Sequence, residues 1–292
     1  AGMSDPIRTR KQPKPREYPE IPEPLIVGTY DNHTHLEIAD SDNPLSVDQQ
    51  IEKMKLAGML GAVQVGVTLE SSKWSAKAAS EHEELLAAVA LHPNEAPLYE
   101  TSSNLEQAVS EIAELATQER VRAIGETGLD YFRTEGEKPL ELQKQSFEWH
   151  IEIAKQNNIA LQIHDRDAHS DVVQTLKRVG APERTVFHCY SGDAELAKIC
   201  NENGWYMSFA GNVTFKKNTH LQESFLIADS SLRLIETDAP FLSPEPIRGR
   251  PNAPYLVPHT LRFLSELSSI DPTQLAEQFN TNTLSVYGSW GE

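Results

Sequence analysis

The stretch LIVGTYDNHTHLE, residues 25–37, joins an apolar, β-branched run to a polar one that carries two histidines two positions apart. LIVGTY, 25–30, reads as a strand, and DNHTHLE as the place where that strand ends. An open dinucleotide-binding sheet would put G-x-G-x-x-G at this junction. Here the junction holds His33-Thr34-His35. In extended backbone, residues i and i+2 project to one face, so the two imidazoles could reach a common ion. The competing reading is a chance pair on a polar turn.

Seven further short apolar runs follow: GAVQVGV (61–67), LLAAVAL (85–91), VRAIGE (121–126), IALQIH (159–164), RTVFHC (184–189), WYMSFA (205–210) and LRLIE (232–236). Near-continuous apolar strands suit parallel sheets buried on both faces. Between them lie longer segments of helical period. Phe147, Ile151 and Ala154 form one stripe within 142–156, and Leu105, Val109, Ile112 and Leu115 form another. A helix pair over 256–268 and 272–287 closes the chain. Eight strands alternating with helices allow a closed (β/α)8 barrel or an open doubly wound sheet. The missing glycine fingerprint favours the barrel, so the expectation is an α/β protein with a single-domain (β/α)8 TIM barrel over 25–292. Residues 1–24, basic at Arg8, Arg10, Lys11, Lys14 and Arg16 and rich in proline, read as a disordered or extended N-terminal arm. It is a solvated tail or a weak nucleic-acid tether. Ala1-Gly2 before Met3 reads as a cloning remnant.

Composition narrows the function. The chain has 292 residues, and 43 acidic against 26 basic side chains leave it at −17. That balance opposes coating of long nucleic acid, where many phosphates are neutralised by Lys and Arg. It permits an enzyme that grips one phosphodiester through cations. Cys189 and Cys200 are too few for a disulfide framework and form no C-x-x-C pair, which suggests a reducing, cytoplasmic setting. No apolar run approaches the length of a membrane span or a signal peptide. Nothing demands a protein partner, and a monomer is assumed.

The titratable residues fall at the C-terminal ends of the expected strands, where barrel active sites form. His33 and His35 follow the first strand, His92 the third and Asp238 the eighth. Glu126, His164 and His188 end the fourth, fifth and sixth. Singly, each has a plain structural reading: a helix cap for Glu126 or Asp238, a satisfied core histidine for His164 or His188. Together, imidazoles and carboxylates suit zinc, manganese or similar divalent ions, and are numerous enough for two sharing a bridging carboxylate. His82 and His150 lie mid-helix and are assigned to surface or packing. Arg166, flanked by Asp165 and Asp167, is assigned to a structural ion pair. Arg248 and Arg250, in the loop after the eighth strand, could contact a phosphate or simply be solvated.

The segments DNHTHLE (31–37), AIGETGLDYFR (123–133), QIHDRDA (162–168), FHCYSG (187–192), GWYMSFAGNVTFK (204–216), ETDAPFLSP (236–244) and RGRPNAP (248–254) resemble, in order, the TatD family of metal-dependent deoxyribonucleases, within the amidohydrolase-like TIM barrels. The resemblance covers most of the chain from about residue 26. It implies two divalent ions (zinc, magnesium or manganese): His33, His35 and Asp238 on one, Glu126 bridging, His164 and His188 completing the second. Glu126 would stand where other amidohydrolases use a lysine carbamate. Asp238 would accept the proton of the attacking water. The family often has a second histidine after H-P, but here HPNEA places Asn94 there, and Leu91 replaces a frequent glycine. His92 remains, as a group that could polarise a phosphate or product oxygen. The implied activity is hydrolysis of phosphodiester bonds in DNA or a small phosphodiester, at short or single-stranded ends. The alternatives are a hydrolase of an ester or amide, such as an aminoacyl ester, on the same centre, and a non-catalytic barrel scaffold.

Overall fold

In the computed structural model, which describes residues 17–291, eight strands form one sheet in the order of the sequence. They are β1 (Tyr30–Thr34), β2 (Gly61–Val65), β3 (Leu85–Val89), β4 (Val121–Asp130), β5 (Ala160–Arg166), β6 (Thr185–Phe187), β7 (Tyr206–Phe209) and β8 (Arg233–Ile235). Every neighbouring pair is parallel. The sheet closes where β1 meets the chain just past β8. The Asp238 amide donates to the His33 carbonyl at 2.8 Å, and the His35 amide donates to the Ala239 carbonyl at 2.8 Å. The expected (β/α)8 barrel is therefore the fold.

Nine helices surround the barrel among the described residues: α1 (Val47–Leu56), α2 (Leu69–Glu81), α3 (Ser102–Leu115), α4 (Glu137–Asn157), α5 (His169–Val179), α6 (Ala194–Asn203), α7 (Thr219–Ile227), α8 (Val257–Ser268) and α9 (Pro272–Tyr287). Strand alternation sorts the apolar residues into two layers. Leu85, Ala87 and Val89 pack outward against the helices. Leu86 and Ala88 point inward with Val63, Val65 and Leu234, above Tyr287 and Trp290. Both layers are dry, which is why these strands read as unbroken apolar runs. Phe147, Ile151 and Ala154 are buried on α4, as are Leu105, Val109 and Ile112 on α3. The Trp290 indole N–H donates to the Ala62 carbonyl at 3.3 Å, and Arg120 donates to the Trp290 carbonyl at 2.9 Å. The C-terminal segment thus plugs the end of the barrel where the strands begin and leaves the opposite mouth open. No helix among the described residues is long and apolar enough to cross a membrane.

Three strands that bear on the site have boundaries that differ from expectation. The first strand is YDNHT rather than LIVGTY: Ile26 is 94% exposed, and pairing begins at Tyr30. β4 runs on to Asp130 and β5 to Arg166, so Glu126 and His164 lie within strands, not at their ends. The N-terminal segment carries no helix or strand over 17–24 but is docked. Arg250 donates to the Glu17 and Tyr18 carbonyls, each at 3.1 Å. Tyr255 donates to the Pro19 carbonyl and Arg262 to that of Glu23. The basic part of the arm, Arg8 to Arg16, lies outside the described residues.

Candidate metal centre

The residues that join β1 to β8 also build the site. Asp31, fully buried, accepts from the His33 amide at 3.1 Å, the Thr237 amide at 2.9 Å and the Thr237 hydroxyl at 2.5 Å. Burial pushes its carboxyl up to about 8, against those hydrogen bonds. Asn32 donates to the Ile235 carbonyl at 3.0 Å. These bonds and the two closing amide bonds set His33 and His35 beside Asp238. On the other side, β4 passes close to β5: a Cβ at Gly125 would sit 2.5 Å from the Gln162 Cβ. That approach carries Glu126 into the mouth.

The six expected ligands come together. His33 Nε2 and His35 Nε2 are 3.2 Å apart, and both face Asp238 Oδ1, at 3.4 and 3.3 Å. Both also face Glu126 Oε2, at 3.3 and 3.5 Å. The other oxygen of that carboxylate, Oε1, faces His164 Nδ1 at 2.9 Å, His188 Nε2 at 3.0 Å and His92 Nε2 at 3.4 Å. His92 thus joins the cluster itself.

Three imidazoles are oriented from behind. His33 Nδ1 lies 2.6 Å from Gln162 Oε1, His35 Nδ1 2.9 Å from the Val65 carbonyl and His188 Nδ1 2.9 Å from Glu236 Oε2. Each acceptor holds the proton on Nδ1 and turns the Nε2 lone pair inward, as ligand histidines require. Lone pairs then face carboxylate oxygens with nothing to share except a cation. Among the described residues, His33, His35, Glu126 and Asp238 bring one donor atom each to within 4.8 Å of one another, and so do His92, Glu126 and His164. Mixed imidazole and carboxylate donors fit a divalent transition metal. The same convergence sets the protonation of the metal-free protein. Burial opposes charge on all these groups. The charge of His188 and hydrogen bonds from His164, His188 and His33 nevertheless hold Glu126 well below the usual carboxylate range. Hydrogen bonds to Asp238 and Glu126 carry His35 well above the ordinary histidine value, and the charges of Glu236 and Glu126 do the same for His188. Protons occupy places that cations would take.

A cavity of about 770 Å³ opens above the cluster, with His35, His92, Glu126, His164 and Asp238 in its wall. Arg248 and Arg250 do not line it. Arg248 stacks on Phe215, 3.6 Å from the ring centre, and Arg250 clamps the N-terminal segment. Arg166 does line it and forms no ion pair among the described residues; its guanidinium lies 3.8 Å over the Phe132 ring, while Asp165 pairs with His169 at 2.5 Å. His150 is a buried packing residue of α4, and His82 caps α2 and meets Asp48 at 3.1 Å. Four supporting residues escaped the sequence reading: Asp31, Gln162, Glu236 and Asp130, whose Oδ2 is 2.8 Å from His164 Nε2. The first three stand two positions before His33, His164 and Asp238, so the two-residue period of a strand was a usable signal.

Residues 30–288 match the family model described as TatD related DNase. A protein of Mycobacterium tuberculosis named as an uncharacterized metal-dependent hydrolase TatD is 37% identical over 261 residues, 88% of this chain and 97% of its own. The metal-dependent hydrolase YabD of Bacillus subtilis is 34% identical, over 88% of this chain and 98% of its own. Among solved structures, the TatD homologue YjjV of Escherichia coli K12 superposes with a TM-score of 0.80 at 24% identity, covering 91% of this chain and all of that one. A TatD family hydrolase of Entamoeba histolytica superposes with a TM-score of 0.76 at 17% identity, covering 90% and 99%. With a matching family model, relatives matched along nearly their whole length and a convergent histidine and carboxylate cluster, this chain belongs to the TatD family of metal-dependent hydrolases.

Proposed function

We propose that the chain is a deoxyribonuclease that hydrolyses phosphodiester bonds at short or single-stranded DNA ends, using two divalent ions. One observation carries this reading: the two oxygens of Glu126 face different histidines, Oε2 toward His33 and His35, Oε1 toward His92, His164 and His188. A carboxylate so placed suits a bridge between two cation positions. The first would be held by His33, His35 and Asp238, the second by His164 and His188. The matching family description, TatD related DNase, supports phosphodiesters as substrates. Bound there, zinc, magnesium or manganese would supply Lewis acidity toward a phosphoryl oxygen and lower the pKa of water.

The chain's own groups do the rest. In the metal-free protein burial opposes charge on Asp238, but His35 and the neighbouring imidazolium charges hold its carboxyl below the usual range; as an ionised carboxylate beside the cation position, Asp238 would accept the proton of water as it adds to phosphorus. The bond from phosphorus to the leaving sugar oxygen breaks, and that oxygen receives the proton. Burial lowers His92, despite its contact with Glu126, leaving a neutral imidazole beside the reacting centre.

Metal analysis and turnover of a short single-stranded oligodeoxynucleotide test the reading, in wild type and Glu126→Ala. Wild type should retain close to two ions and cleave with manganese or magnesium; the variant should lose metal and most activity. Turnover of an aminoacyl ester without cleavage of the oligonucleotide would transfer the centre to the second chemistry. Absence of bound metal and of any activity would leave a scaffold.

A further inference from the structure

The walls of the cavity differ in chemistry. Strand order puts β4 and β5 on one side of the mouth and β8 and β1 on the other. The β4–β5 side carries Arg133 and Arg166, both lining the cavity. Asp130 Oδ1 accepts from the Phe132 and Arg133 amides, at 3.0 and 2.8 Å, and Arg166 rests on the Phe132 ring. Neither guanidinium has a carboxylate within 4.0 Å among the described residues, in a chain of net charge −17. Two arginines without a carboxylate partner among the described residues, in the wall of a cavity that also holds the histidine and carboxylate cluster, are unsuited to binding a metal and suited to binding an anion. The β8–β1 side carries Phe241, 49% exposed, its ring centre 6.3 Å from that of His35. Its amide donates to the Asp238 carbonyl at 3.0 Å, and its carbonyl accepts from Asn252 at 2.7 Å. An aromatic ring held open to the mouth on pinned backbone, three residues from Asp238, is a stacking platform formed in advance.

We infer that this mouth is a subsite for the end of an unpaired strand: Phe241 stacks the base beside the scissile phosphodiester, and Arg133 and Arg166 each hold one of the next two phosphates on the far side. The inference rests on the nuclease reading and adds the residues that select the substrate. Stacking on Phe241 requires a base free of its complement, so the site favours single strands or frayed ends over closed duplex. It reads no sequence, because every base has a π-face. The phosphate contacts belong to Arg133 and Arg166, not to Arg248 and Arg250.

Steady-state kinetics on a single-stranded thymidine octanucleotide and on an octamer abasic at every position test this, with the metal-loaded full chain. Wild type should prefer the base-bearing strand in kcat/KM by roughly tenfold, the scale of one stacked base. Phe241→Ala should bring that preference close to one, and Phe241→Trp should restore it. Arg133→Gln and Arg166→Gln should each raise KM for both strands. Each should also reduce the slope of log(kcat/KM) against log salt by about 0.7, the single-strand increment per phosphate. Arg166→Lys should keep that slope. An unchanged base preference in Phe241→Ala, or unchanged slopes in both glutamine variants, would overturn the subsite while leaving the nuclease reading standing. A wild type that holds metal, turns over an ester and cleaves neither octamer would overturn the nuclease reading itself.

Discussion

Glu236 is buried, and both of its oxygens are engaged: Oε2 lies 2.9 Å from His188 Nδ1, and Oε1 accepts from the Cys189 amide at 3.0 Å. It fixes the orientation and tautomer of His188, and it also brings one donor atom to within 4.8 Å of donor atoms of His33, His188 and Asp238. Glu236→Gln preserves the volume but removes one acceptor oxygen, so either the imidazole or the amide loses its partner. The expected result is a 10- to 100-fold loss in metal affinity or turnover, the range found for outer partners of metal ligands, with unchanged secondary structure. Competition with a chelator of known affinity reads the first quantity directly. Equal metal affinity and equal turnover in the variant would reduce Glu236 to a packing residue. Such partners were hard to see in the sequence because a lone Glu or Gln at a strand end has many uses. His33, His35 and Asp238 were legible because ligands at several strand ends form a pattern, whereas Glu236 acquires its role only from His188, 48 positions away.

Most strands were legible from their apolar runs because both faces of a barrel strand are dry. β1 was not. YDNHT contains no aliphatic residue, yet Asp31, Asn32, His33 and Thr34 are all buried. Asp31 and Asn32 find their partners in Thr237, Ile235 and Thr283, more than 200 positions away, and no local pattern reports that. LIVGTY carried the stronger apolar signal, but no neighbouring strand receives it. The helices were legible from their stripes, although His150 shows what a stripe conceals. On α4 its Nδ1 donates to the Ser146 carbonyl at 2.6 Å, and its Nε2 accepts from the Leu91 amide at 3.1 Å, a pairing only the neutral imidazole can make. Burial lowers its pKa to about 4 despite the bond to Ser146. The unfolded chain takes up this proton near the reference value of about 6.5, and the folded chain does not. The stability contributed by the neutral ring is therefore complete above pH ~6.5 and is lost as pH falls toward about 4. At ~1.4 kcal/mol per pKa unit, it amounts to roughly 3 kcal/mol. Urea unfolding at pH 7 and pH 4.5 measures it: His150→Gln should lose stability at pH 7 but show a smaller drop between the two pH values than wild type. An equal drop in both would place the acid sensitivity elsewhere.

At the scale of the whole molecule, the open mouth and the docked N-terminal segment each make a measurable claim. Residues 17–24 are held by four side-chain donations to their carbonyls, from Arg250 (twice), Tyr255 and Arg262. At about 0.5–1.5 kcal/mol net for each bond, deletion through residue 24 should lower the melting temperature by on the order of 5–15 °C. Arg250→Ala should account for part of that. A melting temperature equal to wild type would mean the segment lies on the barrel without stabilising it. The mouth sets the number of phosphates bound. The chain is strongly acidic, and its basic arm ends at Arg16, just before the carbonyls that Arg250 holds in the loop after β8. If only the cavity engages the strand, Arg133 and Arg166 account for the neutralised phosphates, and log affinity should fall against log salt with a slope of about −1.5 for single-stranded DNA. If Arg8, Arg10, Lys11, Lys14 and Arg16 also engaged it, the slope would steepen to about −5. The acidic surface and compact mouth favour the shallow value. Fluorescence anisotropy of a labelled 20-nucleotide strand on the full chain, with calcium in place of a catalytic metal, distinguishes the two, since they differ by several units of slope. A slope near −5 would make the arm a tether and the barrel only the place where the bound strand is cut.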